Sequence, residues 1–254
     1  MYRIEEKLLE NINRRALRKP DLSMIDEPKK IVIHWTANLN PSATAMANRN
    51  YFNRDDSKAT ATIYYKWAWG SAHYIIDKKR IIRCIPENEV AYHVGDSVRS
   101  KEQVKKNLSN LDVDDILIAP NAINRANYHY IGIELCVNDL SPDAWREVMK
   151  RTAFLLADII RRTGLGWDDV IRHFDVTGKP CPAMFMPVTY KNGTGKQTTD
   201  IHWTMFIDLL KSYAKDAEPL DDVSTAPQFG DDRILQPELM EPVENLPWWK
   251  RIFI

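Results

Sequence analysis

Residues Tyr130 to Val137 form a nearly continuous apolar run, Tyr-Ile-Gly-Ile-Glu-Leu-Cys-Val, with one acid, Glu134, inside it. A run of this kind reads as a buried strand, and a carboxylate within it is unusual without a partner for its charge. Other strand signals lie around it. Ile31-Val32-Ile33 leads to His34, and the isoleucine-rich runs Ser71 to Asp77 and Arg80 to Ile85 are separated by Lys78-Lys79, a hairpin pattern. Helix signals alternate with them. Ser141-Pro142 is an N-cap followed by an N1 proline, and Trp145, Val148, Met149, Thr152, Leu155, Leu156 and Ile159 line one face as far as Gly164. Thr198 or Thr199 is placed to cap a second helix with the stripe Trp203, Phe206, Ile207, Leu210 and Tyr213. Ser42 is placed to cap a third over Ala43 to Phe52, offering Met46 and Tyr51 to the core. Strands mixed with covering helices predict an α/β sandwich.

The stretch Ile171 to Pro182 brings His173, Lys179 and Cys181 into one short irregular segment. Pro180 and Pro182 fix φ on both sides of Cys181 and donate no backbone hydrogen bond, so the thiol sits on a stiff loop. Imidazole and thiolate are zinc donors, and a catalytic zinc site typically takes three protein ligands and leaves one position for water. His34, at the end of the Ile31–Ile33 run, is the natural third donor. Asp175, two residues after His173, is the alternative carboxylate donor, or a loop cap.

Four separated pieces, Ile31 to Thr36, Ser71 to Asp77, Ile131 to Glu134 and His173 to Pro182, occur in the order seen in zinc-dependent N-acetylmuramoyl-L-alanine amidases of the type 2 family, which the chain resembles. That family shares its fold with peptidoglycan recognition proteins and includes many phage endolysins. The resemblance implies a central mixed β-sheet with helices on both sides, Zn²⁺ held by His34, His173 and Cys181, Glu134 as general base and Lys179 facing the oxyanion. It also implies a muropeptide substrate. His93, in Tyr92-His93-Val94-Gly95, matches a groove position that contacts the muropeptide, and His73, on a strand, is either core or substrate-facing. The expected reaction is hydrolysis of the amide between N-acetylmuramic acid and L-alanine. An endolysin released to the wall is the leading role, with a cytosolic muropeptide-recycling amidase or a non-catalytic peptidoglycan-binding protein as alternatives.

Composition narrows the classes further. The 254 residues are 44% hydrophobic, enough for a sizeable core, and Lys+Arg 35 against Asp+Glu 35 gives no global attraction to nucleic acid or anionic lipid. No stretch is long and apolar enough for a membrane span, and Met1 to Lys19 lacks a signal-peptide core, so synthesis in the cytoplasm is expected. Cys84, Cys136 and Cys181 are an odd count at unrelated spacings, which argues against a disulfide framework. Cys84 and Cys136, in apolar runs, read as buried structural thiols.

Three divisions follow. Residues 1–28 read as an amphipathic helix over 3–18, from Ile4, Leu8, Leu9, Ile12 and Leu17, plus a connector. Residues 29–217 hold the catalytic unit, including a loop over Asn88 to Gly95 and a polar insertion over 99–127 with a short helix near Lys101 to Leu108. Residues 218–254 read as a linker and tail, since the last 36 residues hold five of the fourteen prolines and seven acids against three bases. The tail ends in an aromatic cluster, Trp248, Trp249 and Phe253. The oligomeric state is left open.

Overall fold

The computed structural model of the protein describes residues 2–10, 15–17, 28–54, 70–94, 122–192 and 195–216. Their centre is a six-stranded sheet in the order β1-β5-β4-β7-β3-β8. The strands are β1 (Ile4–Glu6), β3 (Lys30–Trp35), β4 (Tyr74–Ile76), β5 (Ile81–Arg83), β7 (Tyr130–Leu135) and β8 (Val170–Arg172). Only the β4–β5 hairpin is antiparallel; β1 joins β5, β4 joins β7, and β3 joins both β7 and β8 in parallel. A second small sheet pairs β2 (Arg15–Leu17) with β6 (Glu89–Ala91), and a third pairs β9 (Val188–Asn192) with β10 (Gly195–Thr199). The helices are α1 (Ala45–Phe52), α2 (Ala122–His129), α3 (Pro142–Thr163), α4 (His173–Thr177) and α5 (Ile201–Asp216).

Because side chains alternate across a strand and register partners in a parallel pair share a face, the sequence sorts itself onto two sides of the sheet. Ile31 and Ile33 of β3, with Ile131, Ile133 and Leu135 of β7, are fully buried and pack with Val148, Leu155 and Ile159 of α3 and Phe206 and Leu210 of α5. This is the back of the molecule. On the opposite face Val32 packs with Ala126 of α2, Ile171 of β8 and Val176 of α4, while Ile75 and Ile82 meet Ala45 of α1. His34 and Glu134, register partners at the carboxyl ends of β3 and β7, stand on that second face. Layers on both sides explain why β3 and β7 carry almost no alternation in sequence: both of their faces are interior. The mixed sheet with helices on both sides agrees with the expected α/β fold.

Local chemistry sets the joints. Asp77 ends β4 and turns the hairpin, its Oδ1 accepting from the backbone of Lys79 and Arg80, while its Oδ2 accepts from Ala45 N and so ties the start of α1 to the turn. Helix α3 begins at Pro142, after Ser141, and stops at Gly164, whose φ of 74° lies where glycine has no Cβ penalty.

Among the described residues, strands stand where the amino-terminal helix was expected. Residues 4–6 pair with β5, Lys7 N and Leu9 N extend the ladder by donating to Arg83 O and Cys84 O, and residues 15–17 pair with β6. The reason is visible in the core. Tyr2 and Ile4 pack on the α3 side of the sheet and Leu9 is buried on the other, a division that an edge strand makes and a single helical stripe does not. The described amino-terminal residues therefore belong to the same unit as the rest of the sheet.

Smaller differences have similar causes. Thr44, not Ser42, caps α1, accepting from Ala47 N, and Tyr51 is exposed while Met46 packs inward. Thr198 and Thr199 lie in β10, and α5 opens after Asp200, whose carbonyl accepts from Thr204 N. Residues 89–91, expected in a loop, form β6 because β2 is there to pair with them. The expected helix near Lys101 to Leu108 and the tail from 218 onward lie outside the described residues.

Candidate metal centre

Three adjacent parallel strands, in the order β7-β3-β8, end side by side, and each delivers one functional residue at or just past its carboxyl end: Glu134, His34 and His173. In open α/β sheets this edge is where ligands bind. His173 continues the alternation of β8 two residues after Ile171, so it emerges on the face that carries His34. The turn into α4 is held by Arg172, whose backbone N and Nε donate to Asp175 Oδ2. Cys181 returns from the proline-bracketed loop, anchored through Cys181 N to Lys179 O and Phe174 N to Cys181 O.

His34, His173 and Cys181 meet there. Their donor atoms all lie within 4.8 Å of one another, and all three residues are buried. Cys181 Sγ is 3.7 Å from His34 Nδ1, and the His34 and His173 rings pack edge to face with centroids 4.7 Å apart. Burial, together with the nearby His173, His93 and Lys179, holds His34 well below the ordinary imidazole range, leaving it neutral and able to offer a lone pair. Two buried imidazoles and a buried thiol this close together fit a metal ion of the kind that takes nitrogen and sulfur donors.

Glu134 stands beside His34 in register. Its Oε2 is buried and receives no hydrogen bond from the described residues, and burial raises its carboxyl to about 7, with the positive charge of Lys179 pulling the other way. Lys179 thus acts electrostatically on both His34 and Glu134 from the loop between His173 and Cys181. The five residues expected to carry chemistry come together.

Asp175 does not join the donors. Its carboxylate is taken by Arg172, which is 3% exposed and also donates to Phe185 O and Asp200, with its guanidinium over the rings of Phe174 and Trp203. Replacing Arg172 by Leu should cost about 3 kcal/mol or more of stability, because one partner of a largely buried pair is removed and the other is left charged. Denaturant unfolding of the two proteins checks this.

The two substrate-contact candidates, His73 and His93, both turn their ring nitrogens to groups of the protein. His73 is fully buried, its Nδ1 accepts from Gly132 N at 3.0 Å, and its Nε2 donates to Glu89 O at 3.0 Å. With both ring nitrogens on backbone it links β7 to β6. His93 lies on the side of His34 away from Cys181: Nδ1 is 2.9 Å from His34 Nε2, and Nε2 is 3.2 Å from Tyr130 O. No local sequence pattern announces this, since the partners are 59 and 37 residues away.

The fold and site define a mixed α/β protein with a metal-capable His-His-Cys cluster at the carboxyl edge of parallel strands. Residues 25–184 match the family model described as N-acetylmuramoyl-L-alanine amidase, Amidase_2, and the chain belongs to that family. Among curated relatives, it is 35% identical over 172 residues to the N-acetylmuramoyl-L-alanine amidase CwlL of Bacillus licheniformis, covering 68% of this chain and 41% of that protein. It is 34% identical over 164 residues to the N-acetylmuramoyl-L-alanine amidase BlyA of Bacillus subtilis strain 168, covering 64% and 38%. The chain therefore spans about two-fifths of the length of these relatives. Among solved structures, a mutant endolysin from Bacillus subtilis superposes with TM-score 0.53 at 21% identity, covering 83% of this chain and 99% of that one. The catalytic domain of XlyA gives 0.52 at 20% identity, covering 82% and 99%. These two matches speak to the fold.

Proposed function

We propose that the protein is a zinc-dependent N-acetylmuramoyl-L-alanine amidase that cuts the lactyl amide between N-acetylmuramic acid and L-alanine in peptidoglycan. The observation that carries this reading is the buried His34–His173–Cys181 cluster with Glu134 in register beside it, in a chain of this family. Zinc held by the three donors supplies Lewis acidity toward the scissile carbonyl and the attacking water. Glu134, on the face of the sheet that carries His34, takes the proton from that water and hands it to the departing amine of L-alanine. Lys179 sets its positive charge against the oxyanion of the tetrahedral intermediate. The products are a free peptide stem and an intact glycan.

The reading takes residues 29–217 as the catalytic unit and includes a role as a wall-lysing endolysin. The endolysin role is supported by the fold shared with a Bacillus subtilis endolysin. Among the described residues no helix is long and apolar enough to cross a membrane. The retained cluster and Glu134 favour an enzyme over a binding protein of the same fold.

The test is the protein on purified bacterial walls, following turbidity, new alanine amino groups and new reducing sugar ends. Clearing with alanine amino groups and no reducing ends is expected. Wall binding without release of amino groups, or reducing ends in their place, overturns the amidase reading. Activity confined to small soluble muropeptides would keep the chemistry and remove the endolysin role.

A further inference from the structure

His34 has two ring nitrogens, and the cluster can use only one. Its Nδ1 is turned toward Cys181 Sγ, at 3.7 Å, while its Nε2 points the other way, to His93 Nδ1 at 2.9 Å. The direction of the proton in that second contact follows from the next one. His93 Nε2 lies 3.2 Å from Tyr130 O, and a carbonyl only accepts, so in the neutral ring Nε2 carries the hydrogen and Nδ1 is the acceptor. His34 must then donate from Nε2, which leaves the lone pair on Nδ1, the nitrogen that faces Cys181.

The place of His93 is built from several elements. Its backbone N and that of Val94 both donate to Asn127 Oδ1 on α2, at 2.8 and 2.9 Å, and Asn127 is 1% exposed. Its ring lies on Gly132, the β7 residue two before Glu134 and on the same face as His34. A methyl group at 132 would come within 2.6 Å of His93 Cγ, so the ring occupies the space that a side chain would need. Gly132 N is meanwhile held by His73 Nδ1. Helix, loop and glycine thus fix one imidazole at the back of another.

We propose that His93 is a positioning residue for the metal centre, holding His34 by its Nε2–H in the tautomer and rotation that direct Nδ1 to the site shared with His173 and Cys181. This rests on the zinc reading of the cluster. It assigns His93 a place behind the centre, away from substrate, and it gives Gly132 a reason to be glycine. Hydrogen-bond partners of metal-binding histidines restrict the ring and raise its donor strength, an effect typically felt in metal affinity.

The experiment is zinc affinity of the full chain, by competition with a chromophoric chelator, for the unchanged protein, H34A, H93L and H93N. Leu and Asn are nearly the same shape, but Asn Oδ1 sits where His Nδ1 was and still accepts. Expected is a loss of about 10- to 100-fold for H93L, with H93N closer to the unchanged protein than to H93L. Equal loss in both, or no loss in H93L, overturns the proposal. Should either variant fail to fold, nitrogen-15 shifts of the histidines in the unchanged, zinc-loaded protein decide: ligation through His34 Nδ1 with a proton on Nε2 is expected, and ligation through Nε2 overturns it. If the unchanged protein binds zinc no better than H34A, the zinc reading itself fails and this proposal falls with it.

Discussion

Changing Glu134 to Gln should lower kcat by about 10²- to 10⁴-fold while zinc content stays at the level of the unchanged protein. Gln keeps the shape of the side chain and takes away the one thing a base needs, an oxygen that can hold a proton. The structure adds a second, independent expectation about stability. Glu134 is raised to about 7 in the folded protein because burial disfavours its charge, so folding of the metal-free protein weakens as pH climbs from the ordinary carboxylate range to about 7 and stays weakened above it. Gln carries no charge and escapes that penalty. Metal-free Glu134→Gln at pH 8 should therefore unfold at a temperature no lower than the unchanged protein, although it is almost inactive when loaded with zinc. A loss of activity accompanied by a lower midpoint would mark Glu134 as structural. Near-normal turnover in a folded, zinc-replete variant would remove it from the chemistry.

The same residue shows how much was legible beforehand. An acid inside an apolar run is a conflict between local composition and burial, and such conflicts gather at functional sites. His34 stood at the end of a strand pattern, and Cys181 stood between two prolines, so each carried its own mark. The register that sets His34 beside Glu134 was not readable, because strand order is a property of the whole sheet. Nor was β1. Ile4, Leu8 and Leu9 are spaced as a helix would space them, and the open edge of β5 decided otherwise by offering backbone partners over Ile81 to Arg83. The roles of His73 and His93 depend on which backbone group lies opposite each ring nitrogen, at sequence separations from 16 to 59 residues. Residue type alone cannot give that. A histidine near a cluster of ligands invites a reading as substrate contact, and here the ring nitrogens of both meet groups of the protein.

Cys181→Ser should cost more zinc affinity than any supporting residue, hence more than the roughly 10- to 100-fold that second-layer partners are worth. Serine replaces a soft thiolate by a harder, neutral hydroxyl, and the remaining pair, His34 and His173, is one donor short of a three-ligand site. The backbone around residue 181 gives the variant a fair chance to fold, since the bonds from Cys181 N to Lys179 O and from Phe174 N to Cys181 O do not involve the sulfur. That makes a thermodynamic readout available without any substrate. A ligand that binds only the folded state stabilises it by RT ln(1 + [L]/Kd), so each tenfold loss of affinity removes about 1.4 kcal/mol of the stabilisation that a fixed excess of zinc confers. Metal-free Cys181→Ser and the unchanged protein should unfold at similar temperatures, and added zinc should raise the midpoint of the unchanged protein by several degrees more. Wall lysis by the unchanged protein should disappear on treatment with a strong chelator and return with zinc, whereas the variant should stay inactive at the zinc concentration that restores the other. An equal rise in midpoint for both proteins would take Cys181 out of the donor set and turn attention to a ligand beyond the described residues.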